Sequence, residues 1–239
     1  MVKYHEPVML YESIQQLNIK PTGNYVDATF GGGGHTREII KKVSSGKVIA
    51  FDQDKDALQN EFEDERLILI NQNFRNMLQQ LKYQNLLPVS GILADLGVSS
   101  YQFDKPERGF STRFDAALDM RMNTSQELKA SDIINTYSPD QLQKIFSEYG
   151  EVHNAKTLAQ TIDENRGRGS IESISQFKDI TRPCVNTKNE NQYYAKVFQA
   201  LRIEVNDELN ALKEFLVQCV DVLEEGGRLV VISYHSLED

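Results

Sequence analysis

Apolar positions in the first hundred residues fall into two alternating patterns. Continuous apolar runs at residues 25–30, 47–52, 66–71 and 91–97 have the length and β-branched content of buried strands. Between and before them apolar residues return at helical spacing. Leu10, Ile14 and Leu17 form one set, Ile39, Ile40 and Val43 a second, and Met77, Leu78, Leu81 and Leu86 a third, with a short helix expected over 56–62. Repeated strand–helix–strand units predict a parallel sheet covered by helices on both faces. The pattern changes at Asp104: to about Val205 only helical segments are expected. The best marked starts at Ser138-Pro139-Asp140-Gln141, a capping box with proline in the first turn, and carries Leu142, Ile145, Phe146 and Tyr149. Weaker helices are expected over 155–162 and 174–180. A long amphipathic helix then spans 206–224, with Leu209, Leu212, Phe215, Leu216, Cys219, Val220 and Leu223 on its apolar face. Residues 228–233 read as a fifth strand, buried on both faces. The chain is thus predicted to be α/β: a Rossmann-like, doubly wound, mostly parallel sheet (1–103 and 206–239) with an inserted all-helical subdomain (104–205).

The candidate chemistry sits where the first strand meets its helix. Asp27-Ala28-Thr29-Phe30 runs into Gly31-Gly32-Gly33-Gly34-His35, and missing Cβ atoms there let backbone approach a ligand at a helix N-terminus. The dinucleotide fingerprint G-x-G-x-x-G fails, because its last glycine is replaced by Thr36 or Arg37. A pyrophosphate is disfavoured, and the acid Asp27 suits a ligand carrying an ammonium group, as S-adenosylmethionine does. Asp52 ends the second run, 21 residues beyond Gly31, where doubly wound folds place the carboxylate that binds a ribose diol. The competing role for Asp52 is to cap the next helix, which Gln53 or Asp54 could also do. Phe74 stands either beside an adenine or in the core. Asp95 closes the fourth run. Three acids thus fall at strand carboxyl ends, where such sheets bind ligands.

Composition narrows the choice. No run of 18 apolar residues exists among the 239, so no membrane span is expected. The N-terminus lacks a signal-peptide apolar region. Cys184 and Cys219 form no C-x-x-C, which predicts neither a disulfide framework nor a metal site and suits the cytoplasm. The net charge of −9 argues against nucleic-acid binding over the whole surface. Bases nevertheless gather in the insertion: residues 152–188 hold six bases and four acids. Arg166 and Arg168, flanked by glycines, are candidate RNA contacts.

Several stretches together resemble one family, the bacterial small-subunit ribosomal RNA cytosine-N4 methyltransferases. They are His5-Glu6-Pro7-Val8, the Asp27-to-His35 loop, Asp95-Leu96-Gly97-Val98-Ser99-Ser100 with Arg108-Gly109-Phe110-Ser111, and Leu118-Asp119-Met120-Arg121-Met122. Phe198-Gln199-Ala200-Leu201-Arg202-Ile203-Glu204-Val205-Asn206 and Ser233-Tyr234-His235-Ser236-Leu237-Glu238-Asp239 complete the set. The resemblance implies a class I, S-adenosylmethionine-dependent enzyme whose insertion helps recognise RNA, within the assembled 30S particle. It implies cofactor contacts at Gly33, Gly34, His35, Asp52, Phe74, Asp95 and Gln102. One departure is Gln192-Tyr193-Tyr194-Ala195-Lys196-Val197, where the family has His-Pro-Ala-Thr-Arg-Thr, so Lys196 lacks the planar fork of arginine.

The expected chemistry is direct methyl displacement by the cytosine amine, held in line at about 3 Å. Asp95 and the Gly97-to-Ser100 loop, including Ser99 and Ser100, are the candidates for accepting its hydrogen bond. Tyr234 and His235 are candidates for stacking on or positioning the base. Gly33→Val is expected to weaken cofactor binding by filling ligand space, more than Asp52→Ala. Alternatives are another nucleic-acid amino-methyltransferase, although no Asn/Asp-Pro-Pro-aromatic motif follows the fourth strand, or a cofactor-binding RNA-binding protein without activity. No Gly-x-Ser-x-Gly elbow supports a serine hydrolase. The sequence stops six residues after Ser233, inside a motif the family continues. This reads as a chain missing its C-terminal strands, able to bind cofactor, poorly active, and inclined to pair as a homodimer through an uncovered edge.

Overall fold

A computed structural model describes residues 7–239. His5 and Glu6 of the first family motif lie outside the described residues. Two compact units are present: Met1–Ser99 with Leu209–Asp239, and Ser100–Glu208.

Among the described residues the first unit holds five strands: β1 Tyr25–Asp27, β2 Val48–Phe51, β3 Leu67–Ile70, β4 Val89–Asp95 and β5 Leu223–Ile232. All pairs are parallel, in the order β3-β2-β1-β4-β5. Alternate residues feed two cores. Val26, Ile49, Phe51, Ile92 and Ala94 face Met77, Leu81, Phe215 and Cys219 on one side. Tyr25, Val48 and Leu93 face Leu10, Ile14, Ile39 and Ile40 on the other. Burial on both faces explains why the strands read as unbroken apolar runs.

Several boundaries differ from the sequence reading. β1 stops at Asp27 because that carboxylate accepts from Thr29 N at 3.1 Å, an Asx turn that leaves the ladder. The helix expected at 56–62 is a 3-10 helix, Lys55–Asn60, capped by the side chain of Asp54. The cap weighed for Asp52 therefore belongs to Asp54. A helix that the sequence did not mark, Glu190–Asn206, ends at Asp207, which takes a left-handed conformation, and the long helix expected over 206–224 follows as Glu208–Val222. On the second of these Leu216 and Val220, expected in the core, are 40% and 82% exposed. β5 is not buried on both faces, since Leu229 is 37% exposed, and among the described residues it pairs with β4 alone. It also begins before Arg228, with an irregularity opposite Val89 and Gly91 that accommodates Gly226 at positive φ.

The second unit is helical: Ser100–Asp104, Ala130–Thr136, Pro139–Glu148, Ala155–Arg166, Ile174–Thr181 and Glu190–Asn206. Among the described residues its only strand-like pairing outside helices is one bridge, Ala117 to Ser173. The capping box at Ser138 is present, with Gln141 donating to and accepting from the cap residue. Phe146, Leu158, Phe177, Val197 and Leu201 make the core. Three family motifs meet in one buried polar knot. Asn206 accepts from Met122 N at 2.7 Å and donates to Met120 O at 2.8 Å. Arg108, 6% exposed, donates to the carbonyls of Arg121 and Met122. These residues tie the chain to itself across more than 80 positions.

Arg166 is corrected by the same logic. Its guanidinium donates to Ile134 O at 3.0 Å and Tyr137 O at 2.6 Å and pairs with Asp163 at 2.5 Å. It locks two helix ends together and is not free to follow a phosphate backbone. Arg166→Ala should destabilise the protein by about 2 kcal/mol, the range for hydrogen bonds to a charged group. Denaturant unfolding measures this, and a midpoint equal to wild type would return Arg166 to the RNA-contact reading. Arg168 remains exposed.

Candidate active site

Strand order reverses between β1 and β4, whose neighbours run outward to either side. A crevice at the carboxyl ends of two such strands is the ligand site of doubly wound folds. Asp27 ends β1, Asp95 ends β4, and Asp52 follows β2.

Asp27 is fully buried, accepting from Thr36 Oγ1 at 2.6 Å and from Thr29 N. It is an internal brace for the glycine loop, out of reach of a ligand's ammonium group, which overturns the role read for it from sequence. Burial raises its pKa, and the Thr36 hydroxyl opposes that rise. Thr29 carries the brace onward, its hydroxyl accepting from Asp95 N at 2.7 Å.

Asp52 grips the glycine loop from the other side. Its Oδ2 accepts from Gly31 N and its Oδ1 from Asp54 N, both at 2.8 Å. Burial pushes this carboxyl up to about 6. A Cβ on Gly31 would find nothing nearer than the Thr29 carbonyl at 4.0 Å, so the space above this residue is open. The helix that follows, Gly34–Lys42, has no side-chain cap at its N-terminus. Gly33 and Gly34 are a different case. Added Cβ atoms would lie 2.9 Å from the Phe30 ring and 2.2 Å from Pro7 Cγ. Gly33 also has φ 73°, so valine there collides with the protein itself, and Gly33→Val does not isolate ligand space.

At the end of β4, Asp95 Oδ1 accepts from the Tyr234 hydroxyl at 2.7 Å. Burial raises the Asp95 pKa and the tyrosine's donation pulls it back. Gly97, at φ 90°, lies beside the Tyr234 ring, 3.6 Å from an added Cβ. Pairing of Asp95 with Ile232 in the sheet brings Tyr234 there, two residues on. His235 is turned toward Glu238, 3.2 Å away. His35 is buried at the start of its helix, with Nε2 3.2 Å from the Val8 carbonyl. Phe74 is half-buried and meets Phe215 edge-on with centroids 5.1 Å apart. Ser99 follows β4 in the first unit; Ser100 and the buried Gln102 belong to the first helix of the second unit. Lys196 faces Glu151 at 3.5 Å. Sequence reasoning missed Thr29 and Thr36 as links between the acids, and only their hydroxyls next to the glycines hinted at it. Among the described residues no cluster of histidine, cysteine or carboxylate side chains could hold a metal, and no helix is long and apolar enough to cross a membrane.

A parallel sheet in this order, a glycine turn braced by two acids and a third acid across the switch point define a Rossmann-like protein of the class I methyltransferase type. Comparison with known proteins agrees and is more particular. The chain belongs to the MraW methylase family, whose model matches residues 2–239. It is similar to the ribosomal RNA small subunit methyltransferase H of Christiangramia forsetii, 52% identical over all of this chain and 80% of that protein. The proteins of the same name from Flavobacterium johnsoniae and Cytophaga hutchinsonii are 51% and 52% identical, over 79% and 80% of their lengths.

Proposed function

We propose that this chain methylates the exocyclic N4 amine of a cytidine in small-subunit ribosomal RNA, using S-adenosylmethionine. The observation that carries the reading is the hydrogen-bonded Asp95–Tyr234 pair beside Gly97 at the switch point. Support for the RNA comes from the relatives' names.

The residues present fit the cofactor: an open glycine turn, an uncapped helix start and a carboxylate beside them. When bound, it supplies a methyl group on a positively charged sulfur. Asp52 would accept hydrogen bonds from the ribose diol, with Gly33, Gly34, His35, Phe74 and Gln102 as further contacts. Tyr234 occupies Asp95 Oδ1 and leaves Oδ2 to accept from the base amine, whose nitrogen gains positive charge as it is methylated. The raised pKa equips Asp95 to take up the proton that the nitrogen releases. Ring-carbon methylation of a pyrimidine would need a nucleophile to attack the ring. Cys219 does not suit that role, being packed in the core with its thiol pushed up to about 12. Mass mapping of small-subunit RNA from cells lacking the protein tests the reading: one cytidine should lose an N4-methyl group, and an unchanged map would exclude it.

The Asp52 pKa gives a test of the cofactor site with a defined sign. A carboxyl raised from 3.8 to about 6 by folding stabilises the protein while protonated, and that contribution is lost as pH rises through 6. Binding has the opposite sign, because hydroxyl donors need the ionised form. Cofactor Kd measured by calorimetry should therefore rise roughly fivefold between pH 6 and pH 5. Asp52→Asn should bind weakly at every pH and flatten the profile. A flat wild-type profile would remove Asp52 from the site.

A further inference from the structure

The second unit carries an exposed cluster of rings and cations that the cofactor site does not use. Tyr101, Phe103 and Phe114 are 41%, 40% and 38% exposed, large areas for aromatic side chains. Each has a cation over its face. Lys105 Nζ lies 4.2 Å from the Tyr101 centroid, and Arg113 Cζ lies 4.9 Å from that of Phe103 and 5.4 Å from that of Phe114. One guanidinium thus serves two rings. Tyr101 and Phe103 flank Gln102, which is buried, so the short helix directs its two aromatics outward and the residue between them inward.

The cluster is held in place. Arg113 is pinned by Asp104 at 2.7 Å and by the buried Ser111 hydroxyl at 3.1 Å. Upstream, Arg108 anchors the loop to the carbonyls of Arg121 and Met122. Gly109 takes a positive φ where a Cβ would strike the Ala117 carbonyl. Downstream, Asp115 accepts from Ser175 N at 3.0 Å. The rings therefore stand on a fixed loop that leaves about two-fifths of each exposed. Tyr101, Phe103, Arg113 and Phe114 also lie between the family motifs, not within them.

We propose that this cluster is a stacking platform for unpaired nucleotides of the RNA substrate. The inference rests on the reading of the chain as an RNA methyltransferase and adds where the strand around the target is held. Flat π faces accept any base, and guanidinium and ammonium groups beside them meet the phosphates, the combination that single-stranded nucleic acid requires. A protein partner would favour a continuous apolar patch, whereas here cations interleave the rings. Reaching an amine in a base pair demands that the target be splayed from its strand, and neighbours parked on rings would keep it so.

The test uses Tyr101→Ser, Phe103→Ser and Phe114→Ser, singly and combined, with Phe103→Trp as a variant that keeps the stack. The probes are a short fluorescein-labelled unstructured RNA, a duplex of the same length, and small ribosomal subunits from cells lacking the enzyme. Wild type should prefer the single strand. Each serine variant should bind it roughly tenfold more weakly, with the melting temperature, cofactor affinity and salt slope unchanged, while Phe103→Trp binds normally. Arg113→Gln should lower the salt slope by about one. If wild type methylates small subunits and the triple variant matches it in RNA affinity and KM, the platform is refuted while the enzymatic reading stands. If wild type transfers no methyl group to small-subunit RNA, the enzymatic reading fails first. Loss of subunit binding with unchanged affinity for the free RNA would assign the rings to a ribosomal protein and overturn the proposal.

Discussion

Asp95→Asn should lower kcat for methyl transfer by roughly 10²–10³-fold, the usual effect of removing a preorganised group aimed at developing charge. The substitution keeps the shape of the side chain and still lets Tyr234 donate, so the loss isolates the negative charge. Cofactor affinity should fall far less than kcat, because in the proposed site Asp52 and the glycine turn would hold the rest of that ligand. Tyr234→Phe is the companion. Without the 2.7 Å hydrogen bond the ionised form of Asp95 loses a donor, and its already raised pKa climbs further. The acid limb of the kcat profile should then move to higher pH, with a smaller loss at alkaline pH. Single-turnover rates with small subunits across pH would show both effects. An Asp95→Asn enzyme with nearly wild-type kcat would place the chemistry elsewhere.

Thr36→Val should be the most damaging near-isosteric change in the glycine loop. It removes the 2.6 Å donor from a carboxylate that is wholly buried. Leaving a buried charged acceptor short of a partner costs about 2–3 kcal/mol. The pH dependence has a definite sign. Burial already raises the Asp27 pKa, and valine raises it further, so the protonated form is favoured in the folded state. The stability gap between variant and wild type should widen as pH rises and Asp27 must ionise, and narrow in acid. Because Thr29 connects Asp27 to the Asp95 backbone, loosening the brace should also weaken cofactor binding. Urea unfolding at several pH values, with calorimetry on the same samples, measures both. A gap that shrinks with rising pH would mean Asp27 is not the group concerned.

The parts legible in the sequence were those with short-range causes. β1 to β4 announced themselves because both faces of the sheet are covered, which makes each strand continuously apolar. The positions of Asp27, Asp52 and Asp95 at strand ends followed from the same runs. The capping box at Ser138 is a contact over three residues and needs only local geometry. Arg166 was misread for the opposite reason: an arginine beside a glycine-rich stretch looks solvated until the carbonyls of Ile134 and Tyr137, some thirty residues away, are brought to it. Leu216 and Val220 were misread because helical spacing defines an apolar arc but not how much of it the sheet will cover.

The sequence by itself determined a parallel α/β sheet, the glycine turn, the strand-end acids and, through its motifs, the family. These are properties of periodicity, glycine and short spacing, all encoded within a few residues. Only the tertiary structure decided that Asp27 faces inward as a brace while Asp52 and Asp95 stand beside the glycine turn and the switch point. Only it brought Tyr234 to Asp95, since their separation of 139 positions is closed by the pairing of β5 on β4. It likewise gathered Arg108, Met122 and Asn206 into one knot. A side chain's role in each case depends on which distant backbone supplies or withholds its hydrogen-bond partner, and water competes for every such partner until packing removes it.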